Sequence, residues 1–305
     1  MRVRSRVKTV NATVPTFSAA LGNGLCRRVL ARLGFDGPPA ADLAGLRALY
    51  RAWCAHVPFD NVRKVVALGG DGPLPGGDAA DLLEHWLADG AAGTCWPTSN
   101  ALFALLEATG FAARRITASM RDMGTVNHAS VKVAIDGRDW LADSSLLTNE
   151  PLPLGPDVFI HDDSAIRVEV EESDGTHVIW AFTPPNSSYV ACRLLDDPAT
   201  AAAYAAGYEA SRAHSPFNQR LYARRNHPGE LVVLVGSSRF SKTAAGVTGR
   251  DLTPDELCRS LRDDSGLSAS LIERWAMAGG LEGAYQVPRG PKPPQVTGRP
   301  PSHRR

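Results

Sequence analysis

The chain has 305 residues, a formal net charge of +1, 44% hydrophobic and 21% charged residues, the balance of a soluble globular protein with room for two or three domains. So small a net charge gives no field to recruit nucleic acid or a membrane surface, and no run of about 18 apolar residues exists to span a bilayer. Five cysteines with no C-x-x-C spacing exclude a zinc ribbon, and their odd number argues against a disulfide framework, so a reducing cytoplasm is expected.

Residues 1–14 read as a flexible arm; the basic run at Met1–Lys8 has no apolar segment behind it and is not read as a secretory signal. Leu21, Leu25, Val29, Leu30 and Leu33 predict a helix over 17–34, stopped by Gly34. Asp42 to Ala55 predicts a second, with Leu43, Leu46, Leu49, Tyr50 and Trp53 as its apolar stripe, before Pro58 interrupts helix. Gly69 to Gly77 lacks the Gly-Lys-Ser/Thr of a phosphate loop and reads as a plain loop. Asp78 or Asp81 caps a helix ending at Gly90.

Next comes Gly93-Thr94-Cys95-Trp96-Pro97-Thr98-Ser99-Asn100, followed by the helical pattern Ala101 to Leu106 and the stop Thr109-Gly110. Thr94 is a plausible N-cap, and Pro97 is tolerated in a first turn, where its missing N–H has no acceptor. A thiol there meets unpaired N–H groups and the positive end of the helix dipole, which stabilise a thiolate. A lone cysteine is also commonly a small buried hydrophobe, so this stretch alone leaves both readings open.

After Gly110 the pattern turns to strand: 113–120, then 128–135 and 138–143 about the hairpin dipeptide Asp136-Gly137, then 166–171 and 177–182. A two-residue loop sets the pairing at i + j = 273. Val131, Val133, Ile135, Trp140 and Ala142 then share an apolar face turned to the core. His128, Ser130, Lys132, Leu141 and Asp143 share the other face, away from the core, with Asp143 opposite Ser130 and diagonal to His128. A carboxylate on one ring nitrogen orients a histidine and leaves the other nitrogen for a thiol. His128 alone also fits a strand-end histidine, and Asp143 a turn acid. Further on, 199–211 predicts a helix, 231–236 a strand, Thr253-Pro-Asp-Glu256 a capping box and 268–277 a last helix. His161-Asp162-Asp163 has no second ligand cluster at suitable spacing, so no metal is expected. Residues 286–305, with Arg289, Lys292, Arg299, Arg304 and Arg305 and no acid, read as a disordered basic tail.

Cys, His and Asp in this chain order form the arrangement of papain-like and transglutaminase-like nucleophiles. Several motifs resemble those of the arylamine N-acetyltransferases: Pro58-Phe59-Asp60-Asn61-Val62, Gly93-Thr94-Cys95-Trp96 with Asn100 to Phe103, Asn127-His128 through Asp139 to Asp143, Pro151 to Leu154, Ser215-Pro-Phe217 and Leu231 to Phe240. The resemblance covers about residues 15–285. It implies an α+β fold: an N-terminal helical bundle (15–112) carrying the cysteine, a central antiparallel β-barrel (113–198) carrying His128 and Asp143, and a C-terminal α/β lid (199–285).

The resemblance further implies catalysis by Cys95, His128 and Asp143, with Phe59, Trp96, Ser144 and Ser145 at the substrate. It implies ping-pong transfer from an acyl-CoA or acyl carrier protein thioester to a small amine, with no permanently bound cofactor. Ala91 and Ala92 stand where the family has Arg-Gly, and Pro97 where it has Glu; Arg63 is a candidate substitute for the lost arginine, and Ser144 to Leu147 replaces a run that lines the acyl pocket. Arg239 and Lys242 are the cations considered for phosphate, a solvated surface being their ordinary role. A transglutaminase-like hydrolase or amide synthase and a silent binding homologue are the alternatives, and oligomeric state is not legible.

Overall fold

The computed structural model describes residues 17–162, 167–186, 188–195 and 197–286, so the arm expected at 1–14, most of the tail expected at 286–305 and Asp163 lie outside the described residues. The described residues open with helices α1 (Asn23–Arg32) and α2 (Leu43–His56), then a two-residue strand β1 (Phe59–Asp60), and helices α3 (Val62–Leu68), α4 (Ala79–Asp89) and α5 (Cys95–Ala108). Residues 17–22 are not helical, contrary to expectation; Phe17 instead sets its ring edge-on to Tyr204 and Tyr208 at 6.0 and 5.8 Å. Asp42 caps α2 through Gly45 N–H at 2.8 Å, and Asp78, rather than Asp81, caps α4 through the N–H groups of Ala80 and Asp81. The first third is therefore not wholly helical, because β1 interrupts it, and α3 was not read from sequence.

Strands β2 (Ala112–Met120), β3 (His128–Ile135), β4 (Arg138–Ala142), β5 (Leu152–Leu154), β6 (Phe159–Asp162), β7 (Arg167–Ser173), β8 (Thr176–Ala181) and β9 (Val190–Leu194) form one antiparallel sheet in the order β5-β4-β3-β2-β9-β8-β7-β6. Its end strands β5 and β6 approach each other, so the sheet curls into a nearly closed barrel. The β3–β4 register runs from Val131 opposite Ala142 to Ile135 opposite Arg138, and Asp136 and Gly137 take left-handed φ values of 50° and 73°. That is the expected two-residue turn.

The expectation for the second hairpin face needs correction. It is not the side away from the core: His128, Ser130 and Asp143 are all buried, at 3%, 0% and 1% exposure. The first face, Val131 to Ala142, packs on α2 and α5 in one hydrophobic cluster, while Leu141 on the second face joins Ile116, Ala118, Val168 and Ile179 inside the barrel. A lone hairpin has a wet side; a closed sheet covers both.

Helix α6 (Ala201–His214), capped by Thr200, lies over this junction. Four strands follow, β10 (Tyr222–His227), β11 (Glu230–Val235), β12 (Ser238–Thr243) and β13 (Gly246–Asp251), and β1 joins them in a second sheet ordered β1-β10-β11-β12-β13. Sequence predicted only β11 here. The reason lies in exposure: β13 is exposed along its whole length and so carries no alternation, and β10 puts the polar Arg224 and Asn226 in buried positions. Helices α7 (Pro254–Asp263), with the expected Thr253/Glu256 capping box, α8 (Ala269–Met277) and α9 (Gly280–Ala284) cover the outer face of this sheet through Leu257, Leu261, Leu271 and Trp275.

Candidate active site

Cys95 is the first residue of α5. The chain reaches it from the left-handed Gly90 (φ 76°) that ends α4, and through Gly93, where a Cβ would lie 2.9 Å from the Pro97 ring; a side chain at 93 would push the helix start out of place. Thr94 has extended N-cap dihedrals, but its hydroxyl makes no cap bond and has no partner among the described residues. The first-turn N–H groups thus gain nothing from Thr94 as a cap, and the positive helix end stays uncompensated by it.

His128 begins β3 and Asp143 follows β4. The imidazole Nε2 lies 2.8 Å from Asp143 Oδ2, which leaves Nδ1 as the remaining nitrogen, and the Cys95 side chain is near enough to the ring to help raise its pKa. Asp143 Oδ1 accepts from the N–H groups of Ser145 and Leu146 at 2.8 and 2.7 Å, and its carbonyl accepts from Tyr50 Oη at 2.7 Å. Burial pushes the His128 imidazole down; the Asp143 carboxylate, then Cys192 and the hydrogen bonds to Asp143 and Cys95, outweigh it and hold the ring well above its usual range. Burial pushes Asp143 up, but the His128 charge and the hydrogen bonds from His128, Leu146 and Ser145 hold it below the usual carboxylate range. A thiol, an imidazole that favours its cationic form and an ionised carboxylate meet in a site where Cys95 is only 7% exposed. Such a set can form a nucleophilic sulfur and then shuttle one proton.

The other expected site residues have packing partners of their own. The Trp96 ring packs edge-on to Tyr204, centroids 5.4 Å apart, and against Gly207 on α6. Phe59 joins Phe217 and Tyr222 in an aromatic cluster with centroids 5.2 to 5.6 Å apart. Ser144 is spent on α5, its hydroxyl 2.9 Å from both Thr98 Oγ1 and Ser99 Oγ, while Ser145 Oγ is buried without a partner. Of the run expected to line the acyl pocket, Leu146 points into the barrel cluster and Leu147 into the helical one. Arg239 is committed to Asp264 by two bonds of 2.9 Å, and Lys242 sits over the Phe182 ring.

The altered cysteine flank has a physical account. Ala91, in place of the family's arginine, fills an apolar cluster with Val62, Leu267 and Trp275. Asp60 is satisfied instead by backbone: its oxygens accept from Val62 N–H at 3.0 Å and Ala92 N–H at 2.9 Å. Burial still pushes this carboxyl up to about 6. Arg63, the candidate substitute, bonds Asp81 at 3.1 Å rather than Asp60.

Sequence reasoning missed Lys64, a lysine within the apolar run of α3, which was the one signal available. It is 2% exposed, and its ammonium donates to Ser211 O at 3.2 Å and to Ser211 Oγ at 2.9 Å and lies 5.9 Å from the Tyr208 ring. Burial pulls it down to about 8, against the opposing field of Cys95. A lysine held below its unfolded value destabilises the fold wherever it must be charged. That penalty is complete below about pH 8 and fades as pH rises toward its ordinary value. Lys64→Met is therefore expected to raise the thermal midpoint at pH 7, by a penalty on the order of 2–3 kcal/mol, and the gain should vanish near pH 10. Paired melting curves from pH 6 to 10 check this; a gain independent of pH would refute it.

The sequence profile of the N-acetyltransferase family matches residues 42–272, three quarters of the chain. By class, then, the protein is an N-acyltransferase. Among solved structures, the arylamine N-acetyltransferase of Nocardia farcinica is 24% identical and superposes with a TM-score of 0.73 over 89% of this chain and 99% of its own. That of Mycobacterium abscessus is 20% identical (TM-score 0.68; 84% and 99% covered), and that of Mycobacterium marinum in complex with CoA is 16% identical (TM-score 0.69; 84% and 95% covered). No curated protein matches it by sequence. The chain belongs to the arylamine N-acetyltransferase family. Among the described residues no helix is long and apolar enough to cross a membrane.

Proposed function

We propose that this protein moves an acyl group from a thioester donor, acyl-CoA or an acyl carrier protein, through Cys95 to a small amine. The Cys95 thiolate attacks the donor carbonyl and a C–S bond forms; the donor sulfur leaves with the proton carried by His128. The amine then attacks the Cys95 thioester, gives its proton to His128, and the Cys95 thiolate departs. Asp143 keeps Nε2 of His128 occupied, so that proton moves only at the nitrogen facing sulfur. The attacking and leaving groups of the first step are both thiolates of similar basicity, which suits near-reversible exchange.

The observation that carries the reading is the 2.8 Å contact between His128 Nε2 and Asp143, with Cys95, His128 and Asp143 all buried and the Cys95 side chain acting on the same ring. Burial also favours transfer over hydrolysis, because a thioester at a dry site does not meet water before the amine. The M. marinum relative is in complex with CoA, and each of these relatives is named an arylamine N-acetyltransferase; an acyl-CoA donor and an arylamine acceptor are the first candidates here. Residues 15–112, 113–198 and 199–285 serve as helical, barrel and lid domains. The five free thiols suit a reducing cytoplasm.

Incubation with acetyl-CoA followed by intact mass is expected to give one stable acetyl adduct on Cys95, discharged by an arylamine and absent in Cys95→Ser. Turnover of the thioester with no adduct would make the protein a hydrolase, and no reaction a silent homologue. Cys54 and Cys192, each pushed up to about 12 by burial, are expected to stay unmodified.

A further inference from the structure

Arg224 lies on β10 opposite Phe59, is 3% exposed and pairs with no carboxylate among the described residues. A buried guanidinium without a counter-ion carries a desolvation penalty that an apolar side chain of the same length would avoid. Its hydrogen bonds go chiefly to the turn after Asp143. Nη2 donates to Leu146 O at 2.5 Å, Nη1 donates to Thr183 Oγ1 at 3.1 Å and more distantly to Ser145 O at 3.4 Å, and Nε has no partner among the described residues.

The Ser145 carbonyl and the Leu146 N–H are two ends of one peptide group, and that N–H donates to Asp143 Oδ1 at 2.7 Å. A continuous path therefore runs from the guanidinium through the peptide to the carboxylate and on to the His128 ring. A cation on the carbonyl end polarises the peptide and strengthens its N–H as a donor. Two residues along β10, Asn226 donates to Leu147 O at 2.7 Å and Asn149 Oδ1 at 2.8 Å. Leu147 has a left-handed φ of 44°, which a leucine keeps only when its surroundings impose it, while Asn149 at 63° tolerates that region by itself. The turn holding Asp143 is thus shaped by its own hydrogen bonds to Asp143 and braced by a neighbouring strand.

We propose that Arg224 is a positioning residue for acyl transfer: it fixes the Ser145–Leu146 peptide, which holds Asp143 in line with His128. The proposal rests on the Cys95–His128–Asp143 reading. Its test uses the full chain with Arg224→Met, Arg224→Lys and Asp143→Asn. The rates of Cys95 acetylation by acetyl-CoA and of Cys95 alkylation by iodoacetamide are followed from pH 5 to 10, beside the thermal midpoint. Asp143, Cys95 and Cys192 face the imidazole, and Tyr50, Cys54, Tyr222 and Asp143 face the guanidinium; burial raises both Cys54 and Cys192 to about 12 and Tyr50 and Tyr222 above their usual range, so these four do not titrate in the neutral window.

Arg224→Met should slow both reactions at least about tenfold, the loss of a charge-assisted hydrogen bond. It should also move the alkaline limb of alkylation to lower pH, as His128 loses its oriented counter-charge. Arg224→Lys, which reaches one carbonyl but not two, should recover part of the rate. A lower thermal midpoint with rates and limb unchanged would overturn the proposal. If Arg224→Met does not fold, the lysine variant decides by the same limb. Slow Asp143→Asn with wild-type Arg224 variants sinks this inference alone; an Asp143→Asn enzyme with wild-type rate and profile sinks the triad itself.

Discussion

Asp143→Asn is expected to lower kcat for acyl transfer by about 10³–10⁴-fold, the scale seen when a triad acid elsewhere becomes its amide. The amide can turn its NH2 toward Nε2 of His128 and pin the tautomer whose other nitrogen carries the proton, so that no lone pair faces the Cys95 thiol. The change also strands a buried cation. His128 is 3% exposed and is held above its usual range by Asp143, and breaking a buried pair from one side typically destabilises by about 3–5 kcal/mol. The sign follows from linkage: a raised histidine contributes stability fully present below its unfolded value near 6.5 and lost as pH rises through its folded value. The variant should therefore lose most stability at pH 5–6 and progressively less at alkaline pH. Steady-state kinetics and melting curves across pH check both halves; a loss of activity with stability unchanged at pH 6 would mean that the pair is not ionised.

Trp96→Ala is expected to destabilise the protein by about 3–5 kcal/mol, the range for emptying a large aromatic site. Trp96 is 2% exposed, wedged between α5 and α6 against Tyr204 and Gly207. A Cβ at Gly207 would stand 2.3 Å from the indole Cη2, so Gly207→Leu alone should destabilise as well. In the alanine background the same leucine should partly fill the space, and the two effects should fail to add. Urea titration of the four proteins measures this. A Trp96→Ala enzyme with wild-type stability and a raised KM would restore the residue to the substrate site and remove it from the packing described here.

How much was legible varied by element. The β3–β4 hairpin was read to the register, because Asp136-Gly137 permits a two-residue turn and a period of two then assigns every side chain to a face. The juxtaposition of His128 and Asp143 followed from that local chemistry. The helix start at Cys95 was equally local: an αL glycine, a backbone forced close at Gly93 and a proline allowed only in a first turn. The polar strand β10 and the wholly exposed β13 were illegible, since hydrophobic patterning reports strands through alternating or continuous apolar residues, and neither strand carries such a pattern.

Environments were less legible. The resemblance implies Ser144 and Ser145 at the substrate; the structure ties the Ser144 hydroxyl to Thr98 and Ser99. Arg63 was the candidate replacement partner for Asp60: its charge acts on that carboxyl, but its hydrogen bond goes to Asp81 and backbone N–H groups bond Asp60. Turns, caps, periodicity and the order of Cys, His and Asp depend on residues within a few positions of one another, and these the chain states by itself. Whether the His128 face is wet or dry, which strand braces the Asp143 turn and what surrounds Lys64 depend on segments up to 147 residues apart meeting when the barrel closes and α6 docks. No short-range pattern encodes such encounters, because they are set by which buried surfaces fit together once every element has formed.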